Sequence, residues 1–472
     1  MYRLFLGFLL ISIKSFGQPD QLKCSCSQLL HESIEKVTTV YAGFEDKLTA
    51  NITHDYGQLV TKLEKSAAKI TARRKCYEII KEYIGWFRNG HLGISYGTQS
   101  SSVFQRRVNL IGKTITNKKQ NSIEGVWSTA DGKEQYAIIK DPSRENKFIA
   151  VTIASSDPGW EPGMVKVEFE AFDRHLGRYP CMFYQRDFRG VQESFLLTGS
   201  RLEHYMGSAW YRNGIVSSDE KSADTNPMRV EFKKINSDFI YLKLGSFMQW
   251  RVNILDSLIK ANDSVIRQTK YLIIDLRGNS GGDGSTSNRM LQLIYTDSLV
   301  YPSSQIRSSP EIIRSVQQDI TWMERNDPAG SYLASRRLLL EKLKEHPGEL
   351  VSTGDSTIRK LNSVYRFPEK VAILMDKGSA SASEYFIFES MQSKKVTRFG
   401  TNTAGAMDYG NVHEIQLSCD EFKVRAATSR NGWIDRFGLR IDNVGFKPDV
   451  FIPVAADWVE FVVRYWSNRN NK

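Results

Sequence analysis

The sequence predicts a multidomain protein of mixed α/β and β structure, because its residue pattern changes twice along the chain. Over residues 25–88, apolar residues recur at three- and four-residue steps, which is typical of amphipathic helices. Over residues 120–215, short alternating stretches between turn residues indicate a β-rich module. From residue 229 onward, strand and helix patterns alternate, which favours a mostly parallel sheet covered by helices.

The composition agrees with this organisation. The chain has 472 residues, 41% hydrophobic and 25% charged, as in ordinary globular proteins. This length suits roughly two to four domains. The net charge is +11, but basic residues form no dense stripe interleaved with aromatic residues. We therefore predict no nucleic-acid partner.

The N-terminus has the pattern of a signal peptide. Residues 1–3 carry one positive charge, and residues 4–13 form an apolar run too short to span a bilayer. Small residues precede Gln18, so we predict a signal peptide over 1–17 and an exported mature chain, periplasmic or secreted. No stable membrane insertion is expected after cleavage, and an uncleaved anchor is the alternative.

The cysteines suggest a disulfide rather than a metal site. The five cysteines are Cys24, Cys26, Cys76, Cys181 and Cys419. Export permits disulfides, and we expect Cys24 or Cys26 to pair with Cys76 and join the first and last N-terminal helices. The odd number leaves at least one thiol unpaired. The sequence has no CxxC pair and its histidines are scattered, so we predict no metal ligands and no cofactor.

Domain boundaries follow from these patterns. We predict an N-terminal helical region over 18–98, whose helices stop at Asn89-Gly90 and are followed by a short strand. The β-rich module occupies 99–228, ends in a polar linker, and is expected to be a small barrel or sandwich. The α/β domain occupies 229–472, with buried strands at 239–244 and 271–275.

A glycine-rich loop follows one of these buried strands. Residues 275–283 read Asp-Leu-Arg-Gly-Asn-Ser-Gly-Gly-Asp. Glycines leave backbone N–H groups uncovered, and such a loop before a helix suits an oxyanion or another anion. Asp275 and Arg277 could brace the loop as a charge-assisted pair. A tight turn that needs glycine dihedral angles is the structural alternative.

Two further segments carry groups suited to chemistry. Small residues at 377–384 place a hydroxyl at a strand-to-helix junction, where the helix N-terminus stabilises negative charge. Ser379, Ser381 and Ser383 compete for that position, and simple helix capping is the alternative explanation. His91, in Asn89-Gly90-His91-Leu92-Gly93, could act as a base, although a lone histidine is more often structural.

Together, in this order, these segments resemble the tail-specific, or carboxyl-terminal processing, serine proteases. Members read "DGH", then "DLRxNxGG", then "xSASxE", and this chain has the corresponding segments at 89–91, 275–282 and 379–384. The similarity continues at 400–405 and 442–449, so several blocks match in the same order. The resemblance implies a ClpP/crotonase-like αββ catalytic domain over 229–472.

The resemblance also implies roles for individual residues. The nucleophile would be Ser381, three residues before Glu384, and the oxyanion donors would be the N–H of Ala382 and of Gly282 or, less favoured, Gly281. Ala406 occupies the place of the lysine base of bacterial members. The histidine-dependent, tricorn-like branch therefore fits better, with His91 as the base and Asp442 as its acidic partner. The implied function is an exported serine endopeptidase acting on polypeptides.

Two alternatives remain. Residues 278–282 match G-x-S-x-G between a strand and a helix, so an α/β-hydrolase esterase could use Ser280 with a late histidine such as His413. A catalytically silent peptide- or ligand-binding protein on the same fold is the other. The family often carries a PDZ domain, but residues 99–228 do not resemble one, so C-terminal substrate specificity is not carried over. The sequence does not predict the oligomeric state.

Overall fold

The computed structural model describes most of the chain after residue 21. The described residues are 22–48, 52–96, 105–110, 122–157, 159–173, 178–184, 190–204, 209–214, 229–418, 422–453 and 456–469. They have mixed α/β structure, as predicted, with a helical region, a β-rich region and an α/β region in chain order. The predicted signal peptide, most of the polar linker and Cys419 lie outside these residues. No described helix is long and apolar enough to cross a membrane.

The N-terminal region is helical and ends in one strand. Its elements are α1 (Cys26–Val40), α2 (Phe44–Lys47), α3 (Thr53–Ala67), α4 (Arg73–Trp86) and β1 (Gly93–Tyr96). The apolar face of α1 is buried against the core, as its periodicity predicts. A Cys26–Cys76 disulfide joins α1 to α4, which confirms the expected staple. Cys24 is also disulfide-bonded, whereas Cys181 is a buried free thiol.

The β-rich region is a closed antiparallel barrel. Its strands are β2 (Gly125–Thr129), β3 (Gln135–Lys140), β4 (Phe148–Ala154), β5 (Val165–Phe169), β6 (Tyr179–Tyr184), β7 (Gly190–Thr198), β8 (Arg201–His204) and β9 (Ala209–Arg212). Each strand pairs with the next, and β9 returns to β2. Large side chains fill the interior, among them Trp127, Phe169, Phe195 and Trp210. Of the two predicted forms, the chain therefore adopts the barrel.

The α/β region is built on a second sheet. The strands of the whole region are β10 (Val230–Lys234), β11 (Phe239–Leu244), β12 (Tyr271–Asp275), β13 (Leu299–Tyr301), β14 (Gln305–Arg307), β15 (Leu350–Ser352), β16 (Thr357–Arg359), β17 (Lys370–Met375), β18 (Val396–Gly400), β19 (Tyr409–Gln416), β20 (Phe422–Arg430) and β21 (Val450–Phe451). The order β10-β11-β12-β17-β18-β21 forms a six-stranded sheet, parallel from β11 to β21. The buried apolar strands at 239–244 and 271–275 are confirmed.

The described residues of the α/β region also form helices. They are α5 (Val252–Ala261), α6 (Asp263–Ile266), α7 (Leu291–Ile294), α8 (Pro310–Asn326), α9 (Ser331–Glu345), α10 (Ala382–Ser390), α11 (Trp433–Phe437) and α12 (Trp458–Arg469), with 3-10 helices at Gln249–Arg251 and Gly284–Arg289. The 3-10 turn at 284–289 replaces the start of an expected α-helix. There the Asp283 carboxylate accepts the Ser285 N–H and the Ser287 hydroxyl donates to the Gly284 carbonyl, so side chains compete for the helical bonds.

The three regions meet around β20. Strand β20 pairs with β1, β14 and β19, and β1 also pairs with β7 at Tyr96↔Gly190. The N-terminal helices, the barrel and the α/β region are thereby connected through one line of hydrogen bonds. The segment before β1, which contains His91, is consequently held against residues more than three hundred positions later in the chain.

Candidate active site

Two loops meet where the adjacent parallel strands β12 and β17 end. Asp275 pairs with Leu374 at the end of the register, so residues 276–283 and 376–381 leave the sheet at the same edge. The Ala380 N–H donates to the Asn279 carbonyl at 3.0 Å. The two sequence motifs therefore form one site rather than two separate turns.

The three candidate serines differ in their surroundings. Ser379 is fully buried and its hydroxyl donates to the Leu276 carbonyl at 2.8 Å. Ser383 is also buried, and its hydroxyl donates to the Asn279 carbonyl at 2.7 Å. Both hydroxyls thus connect the two loops. Ser381 is only partly buried and immediately precedes α10.

Ser381 has a strained backbone conformation. Its φ is 55° and its ψ is −119°, a region that residues with a Cβ rarely occupy and that is enriched at functional sites. Gly281 packs directly beneath it, because a Cβ on Gly281 would lie 2.7 Å from the Ser381 Cβ and 2.8 Å from the Ala382 nitrogen. Only glycine leaves room for Ser381 at this position.

The backbone amides around Ser381 are not equivalent. The Gly281 N–H donates to the Asn279 side-chain oxygen at 3.0 Å, so it is already engaged. The chain then pairs with Phe247, whose N–H donates to the Gly281 carbonyl and whose carbonyl accepts the Asp283 N–H. Among the described residues, neither the exposed Gly282 N–H nor the Ala382 N–H at the start of α10 has a hydrogen-bond partner.

A buried ion pair holds the glycine-rich loop, as the sequence predicted. The Asp275 carboxylate accepts the Arg277 Nε–H at 2.9 Å, the Arg277 Nη2–H at 2.6 Å and the Tyr241 hydroxyl at 2.8 Å. Burial acts to raise the pKa of Asp275, but Lys243 and Arg277 outweigh it and hold this pKa below its usual range. The carboxylate is therefore ionised and braces the loop.

Glu384 connects Ser381 to a second loop. Its buried carboxylate accepts the Thr403 hydroxyl at 2.6 Å and the N–H groups of residues 405–407 at 2.6, 2.9 and 3.1 Å. The Ser381 N–H lies 3.3 Å from the same carboxylate. Burial raises the pKa of Glu384, and these hydrogen bonds oppose the rise. Glu384 thus fixes the position of the 403–407 loop relative to Ser381.

His91 packs against this loop. A Cβ on Gly90 would lie 3.4 Å from the Ala406 Cβ, and the His91 Nδ1 lies 2.6 Å from the Tyr409 carbonyl oxygen. A carbonyl oxygen can only accept, so Nδ1 carries the proton and Nε2 has the lone pair. Burial lowers the pKa of His91, hydrogen bonds with the backbone of Tyr409 and Ala406 oppose this, and Arg425 lowers it further. The neutral imidazole is favoured.

Asp442 reaches His91 only indirectly. Its Oδ1 accepts the Asn89 side-chain amide at 2.8 Å, and the Asn89 oxygen accepts the His91 backbone N–H at 3.0 Å. Its Oδ2 binds Lys47. The sequence predicted that Asp442 orients the imidazole directly or through a serine hydroxyl, whereas the atom at Nδ1 is the Tyr409 carbonyl oxygen. A backbone carbonyl leaves no mark in the sequence, so this contact could not be predicted.

Comparison with known proteins assigns the α/β region. Residues 238–452 match the sequence model of Peptidase family S41. They form a peptidase family S41 domain. The predicted relationship to tail-specific proteases is confirmed at this level, and the chain is a serine-type peptidase. A search of curated protein sequences finds no match.

Two solved structures of CPAF share the fold at low sequence identity, and the tricorn protease is a weaker structural match. Mature CPAF is 12% identical, with a TM-score of 0.53 over 93% of this chain and 96% of CPAF. Mature CPAF complexed with lactacystin is 13% identical, with a TM-score of 0.52 over 94% and 97% of the two chains. The tricorn protease is 12% identical, with a TM-score of 0.44 over 95% of this chain and 37% of that one.

The rival serine of the S41 domain has different neighbours. Ser280 is partly exposed in the glycine-rich loop. His413, the histidine that an esterase could pair with it, lies in β19 opposite Ala426, where burial lowers its pKa and Asp319 opposes the shift. No hydrogen bond among the described residues joins Ser280 to His413. No described group of His, Cys, Asp or Glu side chains could hold a metal ion.

Proposed function

We propose that the chain is an exported serine endopeptidase with Ser381 as nucleophile, His91 as base and a two-amide oxyanion hole. The observation that carries this proposal is the strained Ser381 at the start of α10, packed on Gly281, with the neighbouring N–H groups of Gly282 and Ala382 unpaired among the described residues. Such donors, aimed where charge develops, stabilise the transition state of acyl transfer. Gly281 is the weaker second donor, because its N–H is engaged by Asn279.

Each step of the proposed reaction has a residue suited to it. Ser381 Oγ attacks the peptide carbonyl carbon while His91 Nε2 takes the hydroxyl proton. The carbonyl oxygen becomes an oxyanion held by the Gly282 and Ala382 amides. Collapse breaks the peptide C–N bond, and His91 returns the proton to the leaving amine. Water then attacks the acyl-enzyme by the same route and releases Ser381.

The base is supported from two sides in this proposal. The Tyr409 carbonyl accepts a hydrogen bond from the His91 Nδ1–H and stabilises the imidazolium that forms during attack. Asp442 acts through Asn89 on the backbone of His91, so we assign it a positioning role in the tricorn-like arrangement. We further propose that 229–472 is the ClpP/crotonase-like catalytic domain, following the signal peptide 1–17, the helical region 18–98 and the module 99–228.

Unfolded polypeptide is the proposed substrate, and no cofactor is required. The test is cleavage of a dye-quenched unfolded protein by the purified chain starting at Gln18, beside its Ser381→Ala and Ser280→Ala variants. Only Ser381→Ala should lose activity. Loss in Ser280→Ala alone would support the esterase-type arrangement instead. An inactive wild type whose Ser381 also resists a fluorophosphonate probe would support the silent binding protein.

A further inference from the structure

The short helix α2 belongs to the N-terminal region but lies against the S41 domain. The Ala42 N–H, just before α2, donates to the Ala427 carbonyl at 2.9 Å. Within α2, Glu45 forms an ion pair with Arg307 at 3.1 Å, and Lys47 pairs with Asp442. These contacts place the helix beside the segment that leads into β19.

Asp46 makes the most extensive of these contacts. Its Oδ2 accepts the Tyr409 hydroxyl at 2.9 Å and the Arg430 Nε–H at 2.7 Å. Arg440 approaches the other carboxylate oxygen at 3.9 Å. The Asp46 side chain is only 21% exposed, so these charge-assisted bonds are partly shielded from water. The carboxylate thus fixes the outer end of the Tyr409 side chain.

Tyr409 is held at three points. Its hydroxyl donates to Asp46, its ring packs edge-on against Tyr41 with centroids 5.4 Å apart, and its carbonyl accepts the His91 Nδ1–H. Gly43 permits this close packing, since a Cβ there would lie 2.8 Å from the Tyr409 ring and 2.5 Å from the Tyr41 hydroxyl oxygen. Movement of this side chain is therefore coupled to the carbonyl that orients His91.

We propose that Asp46 is a positioning residue for the active site, acting through Tyr409 on the tautomer and orientation of His91. The inference rests on the proposed function and extends the site to a helix outside the S41 domain. Lys47 supplies a second link from α2, because it pairs with Asp442, which holds Asn89. Removing the Asp46 carboxylate should let the Tyr409 carbonyl drift from Nδ1, which weakens the base without touching the nucleophile.

The sign of the expected pH effect follows from the groups that face His91. The polar and charged groups near the ring are the carbonyls of Tyr409 and Ala406 and the guanidinium of Arg425. Glu384 acts on this environment through the Ala406 N–H, Asp442 through Asn89, and Lys47 through Asp442. The Tyr409 carbonyl favours the protonated ring, so losing it lowers the pKa of His91. The acid limb of kcat/KM should therefore move to lower pH while kcat falls.

The test compares Asp46→Ala, Tyr409→Phe and the double variant, with Glu45→Gln as the matched control on the same helix. The first two should lower kcat about tenfold with little change in KM, because a small displacement of a catalytic group costs rate rather than binding. Both should shift the acid limb to lower pH, and the double variant should be no worse than either single variant. Asp46→Asn keeps an oxygen acceptor for the Tyr409 hydroxyl and should restore most of the rate.

Several outcomes would overturn the inference. A folded Tyr409→Phe variant with wild-type kcat and an unshifted pH profile would do so. This substitution is a mild one, because it removes only the hydroxyl that donates to Asp46. Equal losses in Asp46→Asn, Asp46→Ala and Glu45→Gln would indicate that α2 matters only for stability. Failure of the proposed function is distinguishable, because Ser381→Ala would then remain active, and the inference would fall with it.

Discussion

The nucleophile half and the base half of the candidate site are built in different ways. Ser381 and its neighbouring amides come from two loops that follow adjacent strands of one parallel sheet. His91 comes from a segment before the barrel and is held by Tyr409, which lies 318 positions later. The first half depends on local backbone geometry, which short motifs encode. The second depends on long-range packing, which a motif cannot specify.

The largest loss of activity should come from removing the base, on which the second half of the site depends. His91→Ala should lower kcat/KM by about a hundredfold to ten-thousandfold, the usual contribution of a positioned general base. The residual activity should lack the acid limb of the wild-type pH profile. His413→Ala serves as the comparison, because its ring lies in β19 near Asp319 rather than near His91. If His413→Ala were the inactive variant, the base assignment would be wrong.

A smaller loss should follow from disturbing the nucleophile's backbone. Gly281→Ala would bring a Cβ to 2.7 Å from the Ser381 Cβ, so kcat should fall about a hundredfold. Gly278→Ala is a matched control in the same loop. Its φ is also positive, at 72°, but an added Cβ meets nothing within 4 Å. Equal kcat values in two variants of similar melting temperature would refute the claim that contact with Ser381 matters.

The pH profile of the wild type gives a more modest test. Burial lowers the pKa of His91 from its usual value of 6.5, and only the neutral ring can accept the Ser381 proton. Activity should therefore persist as the pH falls to 6.5 and decline only below it. Measuring kcat/KM against pH checks this expectation. An acid limb above 6.5 would mean that another group, or a charged partner of His91, controls the rate.

The smallest effect on activity should come from the N-terminal disulfide. Replacing both Cys26 and Cys76 with alanine opens a loop of 50 residues and should lower the free energy of unfolding by about 4 kcal/mol. Activity well below the melting temperature should change little, since neither residue contacts the site. Cys181→Ala, at a free thiol in the barrel, should cost only about 1 kcal/mol. Denaturant unfolding of the three chains provides the measurement.

Several features of the fold were predictable from the sequence, and others were not. Strands 239–244 and 271–275 are apolar except for Lys243 and Asp275, so their burial on both faces could be predicted. The Asp275–Arg277 pair was likewise predictable from its spacing in the loop. Barrel closure was not, because alternation identifies strands but does not reveal that β9 pairs with β2.

Less of the candidate site than of the fold could be predicted from the sequence. Small residues and serines placed the 377–384 segment at a helix start, but they did not by themselves distinguish the three serines. The family resemblance pointed to Ser381, and the structure adds that the hydroxyls of Ser379 and Ser383 are buried in contacts between the loops. Asn89 stands beside His91 in the sequence, so its contact could have been suspected. The Tyr409 carbonyl could not, since every residue has one and only the fold determines which carbonyl faces the ring.

Closure of the barrel also bears on the exposure of strand edges in this module. Each of β2–β9 is paired on both sides, so the module adds long strands to the chain without adding an open sheet edge. Exposed edges are templates for aggregation and for capture of extended peptides by strand addition. A peptide that meets this module can therefore engage its side chains or connecting loops, but along the described strands it finds no free ladder of backbone groups to extend.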